Sequence, residues 1–351
     1  MDVIGWIWLG ILSLIAFIGT FFLTWFLSNY FLKLGIYGRD VHKKDKPKVA
    51  EMGGVGIVLV LLILISCSIA IYPDYWEHFV VALIIIIIVA LIGIWDDLRA
   101  LGPIIKPFLL LIPSIPLILW QLIENPGFDP NELMLFTPRP LLPLIGSVRI
   151  TIIYWILIPF AITVLANSTN MLDVMNGSTP ITMMMVTGTA IISTILFYIR
   201  GVMTVPGMVL SVILFGCLFA FFWFNKYPAK IFCGDTGSLT IGAVIALVAI
   251  FGRIEIVIIV AMMPQIMNSF QIIHSIRGFR ERRQIKERPT IVLSDERVKA
   301  NPHPNAPLTL TGWLVAKNPL KENEIVLAMS IVSLFSAILA ILTAIMVFVT
   351  L

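Results

Sequence analysis

The chain has 351 residues, of which 59% are hydrophobic and 13% are charged, and its formal net charge is +4. A mean hydropathy of +1.00 excludes a soluble domain and predicts a protein with many membrane-spanning segments. The small positive charge indicates a membrane topology rather than a nucleic-acid partner, and the three cysteines offer neither a disulfide framework nor a metal-binding spacing.

Apolar runs long enough to cross a bilayer follow one another along the whole sequence. We predict an all-α polytopic membrane protein of about ten transmembrane helices, which form a single membrane domain over residues 1–351. The predicted spans are 3–31, 53–72, 78–95, 103–122, 150–166, 179–199, 206–224, 237–252, 254–275 and 323–350.

The distribution of lysine and arginine predicts the orientation. If both termini lie outside, the loops 32–52, 96–106, 225–236 and 276–322 face the cytoplasm and carry 20 of the 24 basic residues. Cytoplasmic loops are enriched in basic residues, so this asymmetry favours that orientation. We therefore expect the active face on the cytoplasmic side of the plasma membrane or the endoplasmic reticulum, depending on the organism.

Polar residues collect at the predicted cytoplasmic helix ends. The first loop is rich in lysine, including Lys46, and continues through Glu51 to paired glycines. Its lysines could bind phosphate or anionic headgroups, and the alternative is a loop that only sets topology. Asp96 and Asp97 end the third span, and Lys106 follows; adjacent carboxylates ionise together most readily beside a cation.

A second group of polar residues follows the fifth span. Asn167, Asn170 and Asp173 recur at a spacing of three and therefore share one face of a helical turn, and Asn176 comes directly before a glycine. Amide oxygens are hard ligands suited to Mg²⁺, and amides also recognise nucleobase edges.

The loop before the eighth span combines Asn225, Phe232 and Asp235. Phe232 could stack on a base, and an interfacial anchor is the alternative. An acid at the edge of a membrane helix is costly unless it is paired, hydrated or bound to a cation. Asp235 is therefore a candidate functional residue.

The last long loop, 276–322, is predicted to contain a basic amphipathic helix at 277–288, followed by strands at 290–293 and 308–315. The two strands would hold His303 at the tip of a hairpin stiffened by prolines. A purely structural role for this histidine is the alternative.

Carboxylates, amides, lysines and an aromatic residue at a membrane surface suit phosphoryl transfer from a nucleotide to a lipid acceptor. A cation-coupled transporter is the competing interpretation. It would place acids near the middle of the bilayer, and the central turns of the predicted spans are nearly free of charged residues.

The polar motifs as a set resemble those of the polyprenyl-phosphate N-acetylhexosamine-1-phosphate transferases. The resemblance rests on Asp96-Asp97, on Asn167-x-x-Asn170 with Asn176-Gly177, and on Gly234-Asp-Thr-Gly-Ser238. It implies transfer of a sugar 1-phosphate from a UDP-sugar to a polyprenyl phosphate with release of UMP. The implied cofactor is Mg²⁺, with Mn²⁺ as an alternative, and the implied partners are the UDP-sugar, polyprenyl or dolichyl phosphate and membrane lipid. A homodimer is left open.

The resemblance also implies roles for individual residues. Asn170 and Asp235 match metal ligands, and the catalytic positions match Asp96, Asp97 and Lys106. The predicted substrate-binding residues are Lys46, Glu51, Asn167, Asn176, Asn225, Phe232 and His303. His303 belongs to the implied sugar-recognition loop, 276–322. The sequence leaves open whether Asp97 is a base, a nucleophile or a group that shapes the metal site; we favour direct attack by the lipid phosphate.

The overall pattern, particularly Glu51 and the spacing from Asp97 to Lys106, resembles the eukaryotic and archaeal N-acetylglucosamine branch of this family more than the bacterial branch. We therefore predict UDP-N-acetylglucosamine and dolichyl phosphate as substrates, in the first step of lipid-linked oligosaccharide assembly for protein N-glycosylation. Another UDP-sugar, such as the UDP-muramoyl-pentapeptide, is the alternative within the same chemistry.

Overall fold

The computed structural model describes residues 1–124, 136–278 and 286–351, and it is an all-α polytopic architecture, as predicted. The helices of these residues are α1 (Val3–Leu34), α2 (Gly54–Ile71), α3 (Trp76–Leu98), α4 (Ile105–Leu109), α5 (Ile115–Glu124), α6 (Thr151–Leu172), α7 (Ser178–Ile199), α8 (Val205–Asn225), α9 (Gly234–Gly252), α10 (Glu255–Ala261), α11 (Met263–Ser275), α12 (Leu310–Leu314) and α13 (Glu322–Thr350).

Within the described ranges, nine helical segments are long and apolar enough to cross a membrane, and a bent pair would be the tenth. Each predicted span coincides with one of them to within a few residues, except that two spans are broken. The chain is a multi-pass integral membrane protein.

Prolines account for both breaks. The fourth predicted span is divided into α4, a 3-10 turn at Ile112–Ser114 and α5, because prolines at 107, 113 and 116 lack the N–H that a continuous helix requires. The ninth is divided into α10 and α11, which meet at an angle of 67°. Pro264 stands in the first turn of α11, where a missing N–H costs nothing.

Three short antiparallel hairpins lie between the helices of the described chain: β1 (Tyr37–Arg39) with β2 (Lys48–Ala50), β3 (Leu141–Leu142) with β4 (Gly146–Ser147), and β5 (Thr290–Val292) with β6 (Val298–Ala300). The first hairpin was not predicted. Ala50 of β2 also forms a parallel bridge with Ile231, so the first loop is attached to the segment that leads into α9.

A hairpin forms in the last loop, but the prediction placed its second strand at the wrong residues. Val298–Ala300 pairs with β5, and a turn with Glu296 at φ 63° joins the two strands. The segment predicted as a strand at 308–315 contains α12 instead, because the Thr309 hydroxyl accepts a hydrogen bond from the Gly312 amide and caps the helix. His303 therefore follows the hairpin and does not lie at its tip. The predicted amphipathic helix at 277–288 falls mostly outside the described residues.

Helix α9 is at the centre of the bundle, where it packs against α2, α3, α6 and α8, and every residue from Thr236 to Gly252 is buried. Glycines bring its first turn into backbone contact with two neighbours. A Cβ on Gly54 would lie 2.0 Å from Gly237 Cα, and one on Gly93 would lie 2.5 Å from Thr236 Cα. These two glycines make room for a neighbouring helix.

Candidate active site

The N-terminus of α9 is held by a carboxylate from α3. Asp97 Oδ1 accepts a hydrogen bond from the Asp235 amide at 2.7 Å, and Oδ2 accepts from the Thr236 amide at 2.9 Å and the Thr236 hydroxyl at 2.6 Å. Gly234 fits beside this carboxylate because a Cβ there would lie 2.9 Å from Asp97 Oδ2. Asp97 thus supplies the anionic cap that favours a helix N-terminus, and it fixes the backbone of Asp235.

The ammonium of Lys106 contacts side chains from the ends of three helices. Its Nζ lies 2.7 Å from Asp96 Oδ2, 2.9 Å from Asp235 Oδ2 and 3.0 Å from Asn170 Oδ1. These four residues come from α3, α4, α6 and α9. The structure therefore brings together four side chains from three separate stretches of the sequence, and we refer to them as the Lys106 cluster.

The amide of Asn170 fixes the Lys106 cluster from the side of α6. Its Nδ2 donates to Asp235 Oδ1 and, at 2.9 Å, to Ser238 Oγ, while its Oδ1 accepts from Lys106. Asp96 is held at its other oxygen, because Oδ1 accepts from the Leu101 amide at 2.6 Å. Each acceptor around the ammonium is thus oriented by a second contact.

The donor set of the Lys106 cluster fits Mg²⁺. Two carboxylate oxygens and one amide oxygen converge on a single cation, here the ammonium, and hard oxygen ligands are those that Mg²⁺ takes. Asp96, Asn170 and Asp235 would hold the ion, and the ammonium of Lys106 would move towards the substrate. The predicted metal ligands Asn170 and Asp235 are in direct contact with each other.

Phe232 and Glu51 form a wall next to the α9 N-terminus. The backbone of Phe232 donates to Ala50 O at 2.8 Å and accepts from the Gly53 amide at 2.8 Å. A Cβ on Gly38 would lie 3.2 Å from the Phe232 ring and 3.5 Å from Glu51 Oε1. Burial and the nearby carboxylates of Asp97 and Asp235 raise the pKa of Glu51. The wall therefore combines a partly exposed ring with a carboxyl group that gains a proton more readily than usual.

Asn225 and Asn176 have contacts that the sequence did not predict. Asn225 is buried; its Nδ2 donates to Ile231 O at 2.9 Å, and its Oδ1 accepts from the Gly177 amide at 3.1 Å. Asn176 Nδ2 donates to Asp40 Oδ2 at 3.0 Å. Both side-chain amides thus join loops to one another. A substitution at either residue would therefore affect nucleotide binding by changing the conformation of these loops.

Asp173 has a place in this region, although it was not among the predicted site residues. The Thr179 hydroxyl donates to its Oδ1 at 2.7 Å. Burial, together with the negative charges of Asp235 and Asp97, raises the pKa of Asp173 to about 7. The spacing of three that joins it to Asn170 is the signal that could have identified it.

Three predicted substrate-binding residues lie apart from the Lys106 cluster. Lys46 is exposed in the loop between β1 and β2, and Asn167 donates to the Thr163 carbonyl of its own helix at 2.9 Å. His303 is exposed, and its Nδ1 accepts from the Asn305 amide at 3.2 Å. Within the described residues, no hydrogen bond or ion pair joins these three side chains to the cluster.

Comparison with known proteins identifies a family that this chain matches. Residues 79–253 match the family described as glycosyl transferase family 4, and this range contains the whole Lys106 cluster. A relative in Saccharolobus solfataricus is 30% identical over 73% of this chain and 74% of its own length. It carries the provisional name UDP-N-acetylglucosamine–dolichyl-phosphate N-acetylglucosaminephosphotransferase.

Two further relatives extend over almost the whole chain. A protein of Methanocaldococcus jannaschii, provisionally named a glycosyltransferase, is 29% identical over 94% of this chain and 95% of its own. The phospho-N-acetylmuramoyl-pentapeptide-transferase of Helicobacter hepaticus is 26% identical over 94% of this chain and 93% of its own. The matched region and these relatives show that this chain is a member of glycosyl transferase family 4.

Proposed function

We propose that this protein transfers N-acetylglucosamine 1-phosphate from UDP-N-acetylglucosamine to dolichyl or another polyprenyl phosphate, using Mg²⁺ and releasing UMP. The observation that carries this proposal is the Lys106 cluster, in which oxygens of Asp96, Asn170 and Asp235 surround one cation at the end of a buried helix. The name of the Saccharolobus relative supports the choice of sugar and lipid.

The reaction needs positioning and charge neutralisation more than a protein nucleophile. An oxygen of the lipid phosphate forms a bond to the β-phosphorus, and the bond from that phosphorus to the bridging oxygen breaks and leaves UMP. The second pKa of a phosphate monoester is about 6, so the acceptor is largely deprotonated at neutral pH and requires no base. Bound Mg²⁺ would neutralise charge on the diphosphate and the leaving group.

We infer that Asp97 supports the α9 N-terminus and does not attack the substrate. Both of its oxygens accept hydrogen bonds from the first turn of α9, which leaves the carboxylate directed at a helix end. This contact supports the third of the roles that the sequence left open, in which Asp97 shapes the metal site by holding Asp235. Lys106 would bind the diphosphate once a divalent ion takes its present place.

Differently labelled UDP-N-acetylglucosamine tests the chemistry. Purified protein with Mg²⁺ and dolichyl phosphate should move a β-³²P label into lipid and leave an α-³²P label in UMP. Transfer of the sugar alone would leave both labels in UDP and would refute phosphosugar transfer. Asp235→Asn should abolish turnover, and the matched variant Asp295→Asn, which changes an exposed acid of the β5–β6 turn, should retain it.

The same assay separates the competing functions. Activity with UDP-muramoyl-pentapeptide and none with UDP-N-acetylglucosamine would correct the sugar and retain the reaction class. If no UDP-sugar reacts, while proteoliposomes take up a solute along a cation gradient, the protein is a transporter.

We also propose that the site faces the cytoplasm, since the loops on its side carry 20 of the 24 basic residues. Lys317 is exposed on the same side as the loop that holds β5 and β6. In a Cys67→Ala background, Lys317→Cys should react with an impermeant maleimide in inside-out vesicles. Labelling in right-side-out vesicles instead would reverse the orientation.

A further inference from the structure

A second group of metal-ligating side chains lies apart from the Lys106 cluster. Asp40 and His42, from the first loop, meet Glu322, the first residue of α13. One ligand atom from each of the three side chains lies within 4.8 Å of the other two. The group shares no residue with the Lys106 cluster and joins segments from opposite ends of the chain.

Asp40 is held in an orientation that suits a ligand. Its carboxylate is 2% exposed, and Oδ2 accepts from Asn176 Nδ2 at 3.0 Å and pairs with Lys43 Nζ at 2.7 Å. Among the described residues, Oδ1 accepts one long hydrogen bond, of 3.3 Å, from the His42 amide. Asp40 is thus a buried carboxylate with one weakly used oxygen.

Glu322 gives an independent observation that points to a bound ligand. Its side chain is 4% exposed, and Oε1 accepts from the Asn176 amide at 2.8 Å. Oε2 is buried and has no hydrogen-bond partner within the described residues. A buried carboxylate oxygen without a partner is strongly unfavourable, so it must be neutralised by a proton or by a metal ion.

We propose that Asp40, His42 and Glu322 bind a divalent transition-metal ion, with Zn²⁺ as the best match. One imidazole and two carboxylates form a ligand set that Zn²⁺ accepts readily, whereas Mg²⁺ and Ca²⁺ prefer oxygen alone. The hydrogen bonds from Asn176 to Asp40 and Glu322 are of the kind that orient metal-ligating carboxylates. Three protein ligands would leave a fourth position for water.

The ion would tie the first loop to the N-terminal end of α13. The first loop also forms β1 and β2, and Ala50 of β2 supports the backbone of Phe232. A metal at Asp40 would therefore hold the wall of the active site from behind. The site is structural, and its existence does not depend on the reaction that the Lys106 cluster performs.

Metal binding can be measured directly on the purified full-length protein. The protein is stripped with a chelator, returned to excess Mg²⁺ so that any Mg²⁺ site is filled, and titrated with Co²⁺ as a spectroscopic probe. We expect one equivalent of Co²⁺ with visible d–d bands, which Zn²⁺ then displaces. A wild-type protein that binds neither ion under these conditions would overturn the proposal.

Variants assign the ligands. His42→Ala and Glu322→Gln should each weaken binding by more than the roughly 10- to 100-fold typical of removing a group that only supports a ligand. The matched variants His274→Ala and Glu324→Gln should bind as the wild type does, because both residues lie outside the group. Equal binding by His42→Ala, Glu322→Gln and the wild type would refute the assignment.

Lys43 provides a test that does not depend on the folding of those variants. Its ammonium pairs with Asp40, so Lys43→Met removes a competing positive charge. We expect Lys43→Met to bind Co²⁺ and Zn²⁺ severalfold more tightly than the wild type. Unchanged or weaker binding by this variant would place the metal elsewhere.

Discussion

Replacement of Asp97 by asparagine distinguishes two roles for this residue: support of the α9 N-terminus, or participation in the chemical step. The carboxylate accepts one hydrogen bond from the Asp235 amide and two from Thr236. Asparagine keeps one acceptor oxygen, and its NH₂ group would face the remaining donors. Hydrogen bonds to charged groups contribute about 1.5–3 kcal/mol each, and the Thr236 hydroxyl can turn to another acceptor. The net decrease in the free energy of unfolding should therefore be about 2–4 kcal/mol.

The same substitution should disturb the metal site, because the Asp235 backbone loses its anchor. We expect the Mg²⁺ concentration for half-maximal turnover to rise about 10- to 100-fold, as for other groups that orient a ligand. Thermal unfolding in detergent and initial rates across a Mg²⁺ series measure both effects, with Asp295→Asn as the control. An Asp97→Asn protein with unchanged unfolding and unchanged Mg²⁺ dependence, but without turnover, would show that Asp97 takes part in the chemical step.

Three further predictions follow from the packing and charges around α9. Gly54→Ala should greatly lower thermal stability, since its Cβ would lie 2.0 Å from Gly237 Cα, and Gly10→Ala, which has open space, should not. Lys106→Met should leave two carboxylates unneutralised, so Mg²⁺ should raise its unfolding temperature more than that of the wild type; a smaller rise would contradict the placement of the ion. The pKa of Asp173, raised to about 7 by burial, means that the folded protein holds a proton that the unfolded chain loses. This proton should contribute a fall in stability of up to about 1.4 kcal/mol per pH unit between about pH 4 and about pH 7, and Asp173→Asn should make the slope of unfolding free energy against pH shallower by that amount.

The spans were predictable because each depends on local composition. A bilayer requires about twenty apolar residues in sequence, and the runs that became α1, α7 and α13 satisfy this directly. The members of the Lys106 cluster were also identifiable, since charged and amide residues at the ends of apolar helices are rare enough to be noticed. Their convergence on one ammonium was not contained in any local pattern.

Other features depend on contacts between distant segments, which leave no periodic signal. Strands of three residues, as in β1 and β2, are too short for alternation to be recognised, so the first hairpin was missed. The strand predicted at 308–315 had suitable residues, but the Thr309 cap favoured a helix. Asn225 was predicted to bind substrate, and only the folded structure reveals that its side-chain amide donates to the Ile231 carbonyl and accepts from the Gly177 amide.

The position of α9 has a consequence for how the protein responds to its bilayer. Helices α1 and α13 carry many exposed apolar side chains and would adjust by tilting when the hydrocarbon thickness changes. Helix α9 is enclosed by other helices from Thr236 to Gly252 and has no side chain there to adapt to lipid. The position of its N-terminus, which carries Asp235, is therefore fixed by contacts with the surrounding helices and not by the lipid. Turnover should consequently change little between short-chain and long-chain lipids, even where the outer helices are under mismatch.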